Sequence, residues 1–275
     1  MKTDCKIYTY IKKRACGEMV DQFKVTIPQL TEDEERDAFV YVPDYYDPDS
    51  DDRYPVLYMF DGQNLFFDET ASFGKCWGLK DFLDENQVPL IVASVECNTH
   101  PESYRLGGRL SEYTPFSFDD PHWGHIEARG QITMDWLVDE FKPFIDANYP
   151  TLSERRYTFI SGSSMGGLMT LYAITCYNHI FSRGAALSPS LGFAPNELKQ
   201  MIKDAHIRRN TVLYMDYGEK ELFRFRAEKD FRDVTYLLQE KRILLETRIV
   251  PKGIHSESSW EKQVPFFMNV LFYDL

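Results

Sequence analysis

The chain has 275 residues, enough for one large α/β domain. Its 31 basic and 43 acidic residues give a formal net charge of −12, which argues against nucleic acid or an anionic membrane surface as partner. The five cysteines (Cys5, Cys16, Cys76, Cys97 and Cys176) include no Cys-x-x-Cys pair, so they read as reduced thiols, not as a disulfide framework or a zinc site. No secretory signal pattern follows Met1 and no apolar run reaches the length of a membrane span. The expectation is a cytoplasmic protein, although a secreted chain trimmed of its signal would look the same.

In chain order, strands are predicted first, over Ile7 to Ile11, Phe23 to Ile27 and Asp37 to Val42, where β-branched and aromatic residues are separated by turn chemistry. Pro43 to Asp52 reads as a polar hairpin connection or surface loop. Val56 to Phe60 and Leu90 to Val95 are continuous apolar runs, as strands covered on both faces require. Further buried strands are expected over Tyr157 to Ser161, Gly184 to Leu187, Val212 to Asp216 and Glu246 to Val250. Helical patterns span Leu79 to Asn86, Met134 to Asn148, Leu168 to Cys176, Phe223 to Lys241 and Ser259 to Phe272.

This alternation predicts an α/β fold with a mostly parallel central sheet, antiparallel strands at its N-terminal edge and helices on both faces. With no repeat, low-complexity tract or linker in view, residues 1–275 are expected to form a single domain. Thr99 to Arg129 is a long irregular stretch rich in Gly, Pro, Arg, His and aromatic residues. It follows a strand, so it belongs at the carboxyl edge of the sheet, where open α/β folds bind ligands.

The most informative segment is Gly162-Ser163-Ser164-Met165-Gly166, which lies between a predicted strand and a predicted helix. A serine at a strand–turn–helix apex, with glycines two residues to either side, is the layout of a nucleophile elbow. A serine hydroxyl needs a base, and the base needs an orienting acid, in the order serine, acid, histidine. Downstream of Ser164 stand His179, His206 and His255. Only His255 follows a predicted strand and opens a helix, where a loop-borne base belongs. The acid should leave the preceding strand, which makes Asp216, Glu219 and Glu221 candidates. Acyl transfer also needs donors for an oxyanion. These are the Met165 amide and an amide after Val56 to Phe60, where Gly62 permits close backbone approach and Gln63 is the candidate.

Phe60-Asp61-Gly62-Gln63-Asn64-Leu65-Phe66, Arg109-Leu110-Ser111-Glu112-Tyr113-Thr114-Pro115, Gly162 to Gly167 and Gly253-Ile254-His255 with Trp260 together resemble the putative esterase family of α/β hydrolases. That family includes esterase D-like enzymes, enterochelin esterases and the family 1 carbohydrate esterases (feruloyl and acetylxylan esterases). The resemblance runs from about Asp37 to the C-terminus and implies the α/β-hydrolase fold and a serine esterase that needs no cofactor. It places the acid three residues after a glycine ending the strand, which from Gly218 is Glu221. The family often carries Asp there, which leaves Glu219 in play. It also supports Gln63 as the second oxyanion amide. The implied substrate is a small-molecule or oligosaccharide ester, of carbohydrate or phenolic-acid type, with S-formylglutathione or a siderophore ester as alternatives on the same fold. The competing reading from another class is a catalytically silent α/β-hydrolase-like binding protein.

Arg105, Arg109, His122, Trp123 and Trp260 are candidates for the substrate rim, since aromatic rings suit sugar or aryl faces and arginine suits carboxylates or hydroxyls. Arg109 could equally pin its own loop through an ion pair. Trp77 and Trp136 read as core. His122 and His125 with Glu127 could suggest a metal, but Pro121 and Gly124 argue against the helix that would align them. A polar loop lining the pocket is the expectation there, with no metal.

Overall fold

The computed structural model describes residues 7–8, 19–47, 50–99, 108–224 and 227–275. Among the described residues eleven strands run in chain order: β1 (Ile7–Tyr8), β2 (Val20–Thr26), β3 (Glu35–Tyr41), β4 (Val56–Met59), β5 (Ile91–Val95), β6 (Phe118–Asp120), β7 (Gly124–Ile126), β8 (Thr158–Ser163), β9 (Arg183–Leu187), β10 (Val212–Gly218) and β11 (Leu244–Val250). Nine of them form one sheet in the order β1-β2-β3-β5-β4-β8-β9-β10-β11, and β6 and β7 pair separately. Pairing is antiparallel from β1 through β3 to β5 and parallel from β5 onward to β11. The predicted antiparallel edge and parallel body are therefore both present.

The period of two along a strand explains why the inner strands read as unbroken apolar runs. Tyr58, Ala93 and Ile160 face one apolar layer with the helices Met165–Cys176 and Glu228–Glu240. Leu57, Met59, Val92 and Phe159 face the other, with the helices Leu79–Glu85 and Val264–Leu271. Both faces of the sheet are covered, as the α/β-hydrolase fold requires. Trp77 and Trp136 lie in these two layers, as expected of core residues. Among the described residues no helix is long and apolar enough to cross a membrane.

Several elements differ from expectation. Pro43 to Asp52 does not close a hairpin, because β5 lies between β3 and β4 in the sheet. Its described part is the surface-loop alternative. The predicted helix over Phe223 to Lys241 is instead two helices, Glu219–Arg224 and Glu228–Glu240, and the last helix divides into Glu257–Glu261 and Val264–Leu271 around Gln263-Val264-Pro265. Pro265 provides the reason: proline lacks an N–H and is suited to the first turn of a helix, so it marks a fresh start. A helix over Pro195–Asp204 was not foreseen; Pro195 opens it, and Leu198 and Ile202 bury one face. Within the irregular stretch, the β6–β7 hairpin gives order to residues 118–126. Arg105, Cys5 and Cys16 lie outside the described residues.

Candidate active site

Ser164 stands between β8 and the helix Met165–Cys176, at φ 58° and ψ −118°. A residue with a side chain is strained in this conformation, and strain of this kind collects at functional sites. The flanking glycine is required sterically: a Cβ on Gly162 would lie 2.8 Å from the carbonyl carbon of Gly166. The elbow is held by backbone bonds on both sides, with the Ser164 amide donating to Leu187 O at 2.9 Å and the Ser190 amide donating to Ser164 O at 2.9 Å. The Met165 amide is the first of the helix, one of the four that a helix leaves without an intrahelical acceptor.

His255 and Glu221 come together from different elements. Nδ1 of His255 lies 2.6 Å from Oε2 of Glu221. Glu221 sits in the helix that opens directly after β10 and is 2% exposed. Glu219 points elsewhere: its Oε2 accepts the Lys252 amide at 2.8 Å, bracing the turn after β11. Asp216 is buried inside β10, where its Oδ1 accepts the Ser188 amide at 3.0 Å and its Oδ2 the Tyr214 hydroxyl at 3.0 Å. Burial pushes the Asp216 carboxyl up to about 7, against the pull of those two donors. Of the three acid candidates, geometry pairs only Glu221 with His255. His179 stacks on Tyr177 at 6.3 Å between centroids, and neither it nor His206 lines the cavity that contains Ser164 and His255.

That cavity has a volume of about 890 Å³. Gln63 lines it from the single turn Gly62–Asn64, which follows β4. Its amide side chain is fixed, with Nε2 donating to Cys97 Sγ at 3.2 Å and Oε1 accepting the Cys97 amide at 3.3 Å. A Cβ on Gly62 would meet Ser94 Oγ at 2.9 Å, which is the close approach that the glycine allows.

Arg109 also borders the cavity, but its guanidinium is engaged. Nε donates to Asp61 Oδ1 at 2.6 Å and Nη2 to Asp61 Oδ2 at 2.8 Å, with the group 5.2 Å from the Tyr113 ring centroid. This is the loop-pinning alternative. Burial opposes the Arg109 charge, yet the Asp61 carboxylate more than offsets it and holds the guanidinium protonated. Trp260 is buried, with its ring 5.0 Å from that of His255 and its Nε1 donating to Ser188 Oγ at 3.0 Å. Trp123 lines the outer wall beside Phe193, their rings 5.8 Å apart. His122 and His125 are exposed and do not line the cavity, which corrects the expectation for them; Asp120 and Trp123 of the same hairpin do. His125 instead pairs with Asp119 at 2.8 Å. Among the described residues no group of three or more His, Cys, Asp or Glu side chains is disposed to hold a metal ion.

Sequence reasoning missed Ser188, Ser190, Phe193 and Glu257, all of which border the cavity. The signal available was position: Ser188-Pro189-Ser190 follows β9 at the carboxyl edge of a parallel sheet, where ligand sites lie. Burial pushes the Glu257 carboxyl above its ordinary value, and the neighbouring Asp61 charge adds to this.

Sheet order, elbow and the His–Glu pair define an α/β-hydrolase-fold protein. The family model described as "Putative esterase" matches residues 31–269, and the chain belongs to that family. Uncharacterized protein YbbA of Bacillus subtilis (strain 168) is 25% identical over 190 residues, spanning 66% of this chain and 67% of that one. The siderophore hydrolase EstA from Aspergillus nidulans superposes with a TM-score of 0.68 at 17% identity, over 94% of this chain and 96% of that one. A ferulic acid esterase gives 0.63 at 18% identity, over 92% and 96%. At these identities the likeness to solved structures is one of fold. Family membership makes the protein a carboxylic ester hydrolase.

Proposed function

We propose that the protein is a serine esterase working through an acyl-enzyme, with Ser164 as nucleophile, His255 as base and Glu221 as the acid that orients it. The observation that carries this reading is the 2.6 Å contact of His255 with Glu221, in the cavity that also holds Ser164 at its elbow. An ionised carboxylate only accepts hydrogen bonds, so the imidazole proton sits on Nδ1 and the lone pair of Nε2 takes the proton of Ser164. Oγ bonds to the ester carbonyl carbon as that proton leaves. The carbonyl oxygen becomes an oxyanion, facing the amides of Met165 and Gln63 and the positive end of the helix that begins at Met165. Collapse expels the alcohol, which takes the proton from Nε2. Water then repeats the sequence on the acyl-enzyme, and these steps call on no cofactor.

The proposed substrate is an acyl ester of a carbohydrate or a phenolic acid. A cavity of about 890 Å³ exceeds what an acetyl group fills, and Phe73, Trp123 and Phe193 offer flat apolar faces to a sugar or aryl ring. A siderophore ester with aromatic acyl groups suits the same walls and is the second reading. S-formylglutathione suits them less, since Asp120 and Glu257 line the cavity and oppose its two carboxylates. Turnover of p-nitrophenyl acetate by wild type and its loss in Ser164→Ala is the test. Equal, slow hydrolysis by both proteins on short and long acyl esters would sink the serine mechanism. A panel of feruloyl, acetyl-xylan, siderophore and formyl-thioester substrates then separates the acyl classes.

A further inference from the structure

Ser188 follows β9 directly and touches the acid of the proposed triad, not its reacting groups. Its backbone sits at φ 42°, a left-handed conformation that residues with a side chain disfavour. Its amide donates to Asp216 Oδ1 at 3.0 Å. The indole Nε1–H of Trp260 donates to Ser188 Oγ at 3.0 Å. An indole N–H can only donate, so the single hydroxyl proton of Ser188 is directed to its other partner, Glu221 Oε1, at 2.8 Å. The Gly218 amide donates to the same oxygen at 3.1 Å. Two donors therefore occupy Oε1, while Oε2 meets His255. Ser188, Glu221 and Trp260 are all buried, and the Trp260 ring rests against Trp77 at 5.8 Å between centroids.

We infer that Ser188 and Trp260 are positioning residues, a donor chain from indole to hydroxyl to carboxylate that fixes the free oxygen of Glu221 on the His255 ring. The inference rests on the reading of Ser164, His255 and Glu221 as the triad. Without the Ser188 hydroxyl, Oε1 keeps one amide donor and the carboxylate can swing about its last side-chain bond. Displacing a reacting group by about 1 Å costs on the order of a hundredfold in rate.

The test is kcat and KM for p-nitrophenyl acetate in wild type, S188A, S188G, W260F and the S188A/W260F double variant, with S164A alongside. S188A is expected to lower kcat by about 10- to 100-fold with KM within about twofold, because the loss lies in orientation and not in binding. S188G should fall equally, although glycine relieves the backbone at this position. W260F should lower kcat by about fivefold alone and add nothing in the S188A background, since its N–H acts only through the hydroxyl. Wild-type kcat in S188A or S188G, or losses that multiply in the double variant, would overturn the relay. If S188A does not fold, S188G with W260F makes the same comparison. A fully active S164A would remove the triad reading instead, which keeps the two failures apart.

Discussion

Asp216 offers a quantitative check on the polar network beneath the site. The carboxyl is 1% exposed and its proton affinity is raised from 3.8 to about 7, chiefly by burial, with the Glu221 charge adding to it. The folded protein therefore holds this proton more tightly than the unfolded chain does. The stability so supplied is complete below pH 3.8 and is lost as pH rises through about 7. At about 1.4 kcal/mol per pH unit the full loss is about 4 kcal/mol. Asp216→Asn should abolish it: the amide oxygen can still accept the Ser188 amide, and the NH₂ can donate to the Tyr214 hydroxyl, which turns to accept. Urea denaturation of both proteins from pH 4 to pH 8 isolates the effect, because carboxylates that do not interact with Asp216 cancel in the difference. The variant should gain on wild type by about 4 kcal/mol across that range. A difference that stays flat within about 1 kcal/mol, or runs the other way, would refute the argument that burial dominates this carboxyl.

Glu221→Gln should cost at least about a hundredfold in kcat while Glu219→Gln stays within about twofold, since a glutamine still accepts the Lys252 amide; the opposite ranking in steady-state kinetics would reassign the acid. Arg109→Ala leaves Asp61 as a buried, unpaired charge and should destabilise the fold by about 3–5 kcal/mol. Thermal unfolding measures this, and a loss below about 1 kcal/mol would show that the pair is solvated. Glu257→Gln should raise the relative kcat/KM for an ester carrying a free carboxylate, measured against p-nitrophenyl acetate, by about three- to tenfold. An unchanged ratio would remove Glu257 as a charge filter.

The fold was legible where burial on both faces of the sheet and backbone geometry constrain the chain. Apolar strand runs, the glycines around Ser164 and the chain order of a serine, a carboxylate after one strand and His255 after the next were readable, because a parallel sheet sends each loop to the same edge. Bottom-up reading could not choose among Asp216, Glu219 and Glu221, since all three follow or end one strand and only side-chain direction separates them. The helix at Pro195–Asp204 escaped because its apolar face rests on few residues amid polar ones. Ser188 escaped for a different reason. The role proposed for it depends on partners 33 and 72 residues away in sequence, Glu221 and Trp260, and local pattern carries no trace of such contacts.

The outer walls of the cavity and the groups proposed for its chemistry come from different parts of the architecture. Ser164, Glu221 and Gln63 sit within a few residues of the ends of β8, β10 and β4, Ser164 at a turn, Glu221 in the helix Glu219–Arg224 and Gln63 in the single turn Gly62–Asn64. Phe73, Trp123 and Phe193 sit on excursions away from the sheet, Trp123 in the turn of a hairpin that shares no strand with it. A lineage or an engineer can therefore rewrite these excursions to accept a new acyl group while the strand ends stay in register. Insertions and exchanges in the segments around residues 73, 123 and 193 are where altered selectivity should be sought without loss of turnover.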